Sequence, residues 1–254
     1  MADTTAISWT EHTWNPWRGC TKISPGCKNC YMYTAQLRLA KRYKNPGIWD
    51  PFKVIRTTTW PDPHRWQREA AKAGRVERVF TCSWSDFFHQ GADAWRPEAW
   101  KIIRECCNLQ FQILTKRPEN ITARLPGDWE MGYPNVWLGV SVESPAYLWR
   151  TNALRVIPAR VRFISAEPLL EPLPTLDLTG FHWLIVGGES GPGYRLMPHE
   201  WACELRDKAH HAGVAFFFKQ SAAPRTEMGI TLDGLEYKEY PSTPLLIYHL
   251  FRRR

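Results

Sequence analysis

Three cysteines fall within eleven positions of the stretch WNPWRGCTKISPGCKNCYM: Cys20, Cys27 and Cys30. Pro16, Gly19, Pro25 and Gly26 surround them, so the stretch reads as a loop, and a helical pattern from Tyr31 to Arg42 follows Cys30 directly. The two-residue gap between Cys27 and Cys30 is a chelating spacing at a helix entrance, and Cys20 returns around the Pro25-Gly26 turn. Zinc would need a fourth ligand, for which His12 or His89 is available, but no second Cys-x-x-Cys or His-x3-His half-site exists. Loop cysteines without a metal are the plain alternative. An iron–sulfur cluster is the third: three thiolates holding four irons leave one iron with an open coordination place. S-adenosylmethionine can chelate such an iron through its amino and carboxylate groups.

Positioning such a loop is the task of the rest of the chain, where short apolar runs alternate with helical patterns. Strands are expected at 76–83, 110–116, 135–143, 161–169, 182–190 and 214–221, with a leading one near Ala6 to Thr10. Helices are expected at 97–107, from Pro118 through PENITARL, at 144–157 with Ser144 as N-cap, and at 198–213 closed by Gly213. Strand and helix alternating in this way build a parallel sheet. The expected fold class is α/β, a partial (βα)6 TIM-like barrel over residues 1–221. A C-terminal extension over 222–254 would begin with a hairpin around Asp233-Gly234.

Each expected strand finishes on polar residues: Ser83 to Asp86, Thr115-Lys116-Arg117, Ser141 to Glu143, Ser165 to Glu167, Gly187 to Ser190, and Lys219 to Ser221. In a parallel barrel these ends open onto one mouth, where active sites are built. Gly187-Gly188-Glu189-Ser190 lacks the Lys-Ser/Thr of a P-loop and does not match GxGxxG. It fits close approach of backbone to a cofactor, with Glu189 accepting hydrogen bonds from an amine or ribose.

The 254 residues carry 33 Lys and Arg against 25 Asp and Glu, a net charge of +8, and 14 tryptophans. Trp17-Arg18, Arg65-Trp66, Trp95-Arg96, Trp149-Arg150 and the tail Phe251 to Arg254 place aromatic faces beside cations, as nucleic acid recognition requires. Core tryptophans with solvated neighbours are the alternative. No apolar run reaches membrane-spanning length and the first residues do not read as a signal peptide, so the expectation is a cytoplasmic protein with reduced thiols.

The cysteine loop, the aromatic after its last cysteine (Cys30-Tyr31), and the segments WNPWRGC, ISAEPLL, IVGGESG and FFKQS resemble the phage-associated three-Cys-motif branch of the radical S-adenosylmethionine superfamily. Spore photoproduct lyases are more distant relatives by the same criteria. The superfamily's usual spacing is Cys-x3-Cys-x2-Cys, and here the first gap is six residues. The resemblance implies a 4Fe-4S cluster on Cys20, Cys27 and Cys30 with Tyr31 beside it, and S-adenosylmethionine held at strand ends. Asp86, Glu143, Glu167, Gly188 and Glu189 are the candidates for that role. It further implies DNA as substrate, a thymine-type or already modified base turned into the mouth, and an electron donor of the flavodoxin or ferredoxin type. The location would be the cytoplasm, that of the host for a phage protein. Lys116, Arg117 and Lys219 would meet phosphate or a substrate carboxylate, unless they pair with neighbouring glutamates. Cys82 could return a hydrogen atom to a substrate radical, or simply pack in the core. Cys106, Cys107 and Cys203 are expected in helices as packing residues, and His210-His211 at a helix end as a complement to its dipole. The competing function classes are a zinc- or cluster-bearing nucleic-acid-binding module without chemistry and a DNA photoproduct repair lyase.

Overall fold

Strands buried on both faces must be covered by helices outside and by side chains inside, and the computed structural model of the chain, describing residue 5 and residues 7–242, has this arrangement. Seven parallel strands form one curled sheet, a half-barrel: β1 (His12–Trp14), β2 (Glu77–Thr81), β3 (Leu109–Thr115), β4 (Val136–Ser141), β5 (Val161–Ala166), β6 (Trp183–Gly187) and β7 (Ala215–Gln220). They stand side by side in chain order, and β1 and β7 are the two edges. A ribbon of two short antiparallel strands, Trp17–Arg18 with Ile55–Arg56, lies outside this sheet.

The helices are α1 (Tyr31–Tyr43), α2 (Asp62–Lys72), α3 (Arg96–Glu105), α4 (Trp149–Arg155) and α5 (His199–His211). None of the described helices is long and apolar enough to cross a membrane. Four expected elements differ. PENITARL forms two short 3-10 turns, Pro118–Asn120 and Thr122–Arg124. Residues 144–157 split into a 3-10 turn at Pro145–Tyr147 and the short α4, and the Ser144 side chain caps neither. Cys106 and Cys107 lie just beyond α3, because the chain must turn there to start β3 at Leu109. The leading strand runs from His12, not from Ala6 to Thr10; Ala6 itself is outside the described residues. The tail arginines, Arg252 to Arg254, also lie outside them.

Two apolar bodies result. The larger lies between sheet and helices. The smaller fills the barrel interior with Trp9, Phe80, Trp137, Phe163, Trp183, Ile185 and Phe217, the inward positions of neighbouring strands. Trp183 meets Trp9 and Trp137 edge-on, at centroid distances of 6.0 and 5.7 Å. These rings make an aromatic floor.

The segment after β7 closes the bottom of the barrel. Asp233 and Gly234, both at positive φ, make the expected tight turn between Leu232 and Leu235. Residues 237–239 then run antiparallel beside β7, with the Phe218 N–H donating to the Tyr237 carbonyl and Glu239 N–H to that of Phe216. Tyr240 ends against Trp183 and Phe217, with the Arg78 guanidinium 3.8 Å from its ring centre.

Most tryptophans have core roles. Trp14, Trp17, Trp137 and Trp183 are fully buried, and Trp66 stacks on His12 at 4.4 Å. Arg18 covers Trp49, Arg56 covers Trp60 and Arg96 faces Trp17, so these aromatic–cation pairs are satisfied within the molecule. Trp149 is exposed.

Candidate active site at the mouth of the half-barrel

Above the aromatic floor the inward positions turn polar, as the strand-end residues led one to expect. A cavity of about 1470 Å³ opens there. Cys20, Cys27 and Cys30 line it, together with Tyr31, Cys82, Ser83, Asp86, Lys116, Arg117, Ser141, Ser165, Glu167, Gly188, Glu189 and Lys219. Glu143 does not.

The cysteine loop is fastened at several points. Gly19 sits at φ +92°, and a Cβ there would lie 2.1 Å from the Lys53 carbonyl oxygen, so only glycine fits this crossing. Its N–H donates to the Trp84 carbonyl, its own carbonyl accepts from Ser85 Oγ, and the Cys20 N–H donates to the Pro51 carbonyl. Tyr33, on the first turn of α1, donates its hydroxyl to the Cys20 carbonyl at 2.8 Å. Tyr31 donates to the Ser83 carbonyl at 2.7 Å and leaves its ring half exposed at the rim.

Arg117 is the central anchor. One guanidinium nitrogen lies 3.5 Å from Cys20 Sγ and 3.1 Å from Asp86 Oδ2; the other donates to the Thr21 carbonyl and hydroxyl at 2.8 and 2.7 Å. Asp86 also accepts from the Phe88 and Lys116 amides and the Thr115 hydroxyl. Both side chains are buried. The pair therefore joins the ends of β2 and β3 to the loop, with both Asp86 oxygens and both terminal guanidinium nitrogens of Arg117 engaged within the protein. Arg117, a candidate phosphate contact in the sequence, is a loop anchor in the fold.

Glu189 is committed in the same way. Burial works against its charge, but hydrogen bonds from Arg195 and from Asn29 (3.0 Å) outweigh it and hold the carboxyl below its ordinary range. Asn29 lies between Cys27 and Cys30 and also donates to the Gly193 carbonyl, so it straps the cysteine loop to the glycine-rich loop. Gly188 is needed for a reason internal to the fold. A Cβ there would stand 2.2 Å from the Ala222 nitrogen, so its close approach is to the chain's own backbone.

Glu143 is fully buried beneath the loop, paired with Arg150 at 2.8 Å, and its Oε1 has no hydrogen-bond partner. A Cβ on Gly26 would lie 3.1 Å from that carboxyl. Glu167 and Lys219 face each other across the mouth at 2.5 Å. Lys116 is half-buried on the wall and forms no ion pair among the described residues; its charge lowers the Cys30 thiol.

The three thiols are close enough for the charge of each to act on the same neighbour, Tyr33. Burial, reinforced by the Asp86 charge, pushes the Cys20 thiol up to about 12, against the pull of Arg117. Burial raises the Cys30 thiol as well. Such thiols ionise at neutral pH when a metal displaces the proton. Cys82 is buried at the end of β2 in the left-handed conformation, φ +66°, with its thiol raised by burial and lying on the cavity wall. Of the histidines named as zinc ligands, His12 bonds to Glu77 on the outer side of β1, far from the loop in its contacts. His89 Nδ1 accepts from the Gly91 N–H, and its Nε2 meets Thr21 Oγ1. Among the described residues no three His, Cys, Asp or Glu converge on a point that would hold a single metal ion. Sequence reasoning missed Asn29 and Arg195, which hold Glu189, and Asn15, which donates to Ser83 Oγ and accepts from the Trp84 N–H; these partners lie 6 to 160 residues away.

The DUF5131 family, described as a protein of unknown function, matches residues 4–241, and the chain belongs to it. No curated protein and no solved structure matches the chain.

Proposed function

We propose that this member of the DUF5131 family is a radical S-adenosylmethionine enzyme whose substrate is a nucleobase of DNA, working in the reducing cytoplasm. The observation that carries the reading is the gathering of three free cysteines from one loop on one wall of a large cavity, at the strand ends of a half-barrel. The donor set fits a cluster better than one ion. Thiolates of a 4Fe-4S cluster ligate separate irons, and no fourth cysteine stands in the loop. When bound, cluster and cofactor together supply a carbon radical made by one-electron cleavage of a sulfonium.

The chain's own residues supply the rest. Arg117, Tyr33 and Asn29 hold the loop in place. Lys116 and the Glu167–Lys219 pair are the charged groups left facing the cavity for the cofactor's amino, carboxylate and ribose groups or for substrate. A volume of about 1470 Å³ exceeds the 300–1,000 Å³ usual for one small ligand, which leaves room for a nucleoside-sized cofactor and a second base.

Anaerobic purification tests this. Brown protein absorbing near ~400 nm, with about four irons per chain, is the expected result, and Cys20→Ala, Cys27→Ala and Cys30→Ala should each lose it. Reduction in the presence of S-adenosylmethionine should release 5′-deoxyadenosine. Colourless protein carrying zinc would favour a binding module instead and would sink the reading.

A further inference from the structure

The positive charge of this protein is segregated. Residues 15–60 hold nine Lys or Arg and a single carboxylate, Asp50, so they carry a net +8, the excess of the entire chain. The other 24 cations and 24 carboxylates cancel. This segment contains the cysteine loop, α1 and the ribbon, so the charge collects on one rim of the cavity.

Three features separate that rim from an ordinary solvated face. Lys28, Arg38, Lys41, Arg42, Lys44 and Lys53 are all exposed, and none forms an ion pair among the described residues. Elsewhere the surface cations are commonly paired, as Arg104 is with Asp128 and Arg155 with Asp177. Second, α1 is sparsely covered. Only Met32, Tyr33 and Gln36 of its thirteen residues are buried, while Leu37 and Tyr43 are 51% and 57% exposed, and Phe52 nearby is 58% exposed. A helix with so little packing exposes aromatic rings among cations: Tyr43 stacks beside Trp49 at 6.1 Å with the Arg42 guanidinium 5.6 Å from its ring, and Phe52 tilts against Tyr33 at 5.1 Å, yet more than half of each side chain stays open to solvent. Third, the cavity continues from the cysteines to Arg18, Leu39, Trp49 and Arg56, so the rim and the mouth share one wall.

We infer that α1 and the 44–53 segment form the landing surface for a single strand of nucleic acid, whose phosphates meet the lysines and arginines while bases stack on Tyr43 and Phe52. Charge complementarity selects a polyanion, and the exposed rings select one with flat faces over a smooth acidic protein surface. The surface lies beside the mouth, so one base of the bound strand can turn down towards Lys116. The identity of the chemistry in the mouth rests on the reading above; binding to the rim does not.

Fluorescence anisotropy of labelled 12-nucleotide DNA and RNA strands against the full-length protein tests the inference, without added cofactor. Tight binding of either strand at low salt is expected, and the arm that binds names the sugar. With four to six phosphates neutralised, log affinity should fall with log salt at a slope of about −3 to −4, taking ~0.7 per phosphate. Arg38→Glu/Lys41→Glu/Arg42→Glu, all exposed positions, should weaken binding at least ~100-fold with an unchanged circular dichroism spectrum. Tyr43→Ala should weaken it about 5- to 10-fold without altering the salt slope. No binding of either strand, or undiminished binding by the triple variant, overturns the inference. So does loss in that variant only of reduction by an acidic flavoprotein, which would make the face a docking site for an electron donor. These outcomes are read without iron or S-adenosylmethionine, so they stand apart from failure of the radical chemistry.

Discussion

At the scale of single residues, the mouth divides into side chains that hold the loop and side chains that remain open to a ligand. Sequence alone places Asp86, Arg117 and Glu189 in one polar ring, the two carboxylates as cofactor contacts and Arg117 as a phosphate or substrate contact unless it pairs with a neighbour. Their hydrogen bonds separate them: Asp86 and Arg117 are consumed by each other and the loop, and Glu189 by Arg195 and Asn29. Such spending is invisible in sequence because the partners come from other strands. Arg117→Ala should cost about 3–5 kcal/mol in urea unfolding, since the Asp86 carboxylate would stay buried without its cation. Adding Asp86→Asn to the same chain should recover part of that loss, a non-additivity that a double-mutant cycle measures. Arg117→Lys should retain less iron than wild type after anaerobic reconstitution, because an ammonium cannot fork between Cys20, Asp86 and Thr21.

At the scale of elements, the parallel strands were legible because two-sided burial writes them as unbroken apolar runs. All six strands expected after the first appear; five are trimmed by two to four residues in all, and the one expected at 110–116 is shifted by one, to Leu109–Thr115. The leading strand was less legible. His12 and Thr13 break the apolar run, and His12 is tolerated only through its bond to Glu77 and its stack on Trp66. Helices fared worse where proline starts a turn that goes no further, as at Pro118 and Pro145. The glycine-rich loop carries a sharper lesson. Gly188 looked like a contact for a ligand, and its lack of a side chain instead lets the chain cross at Ala222. Gly188→Ala should therefore destabilise by about 3 kcal/mol or more, the upper range for an added carbon without room. Thermal unfolding of the metal-free protein would show that cost, and a neutral effect would contradict the crossing.

At the scale of the whole molecule, buried thiols tie stability to alkaline pH. Cys20, Cys30, Cys82 and Cys106 all have raised thiols, with burial the largest cause in each. The folded chain thus keeps protons that the unfolded chain releases near pH 9. Their contribution is complete below that pH and drains away as pH rises towards about 12, the value for Cys20 and Cys106. Chelator-treated, reduced protein should lose ~5 °C of melting temperature between pH 8.5 and 10.5. Cys20→Ala should flatten that slope, and an unaltered slope would place the sensitivity elsewhere.

Among the described strands the sheet does not close, since β1 and β7 are not hydrogen-bonded to one another; residues 226–229 and 237–239 run along the β7 edge, and Tyr240 reaches in against Trp183. A sealed ring can be entered by a long polymer only from above, by a sharply looped segment or a free terminus. A cleft barrel accepts a continuous thread sideways, so, for the nucleic-acid substrate proposed above, an interior nucleotide of a long molecule would be as reachable as one at its tip.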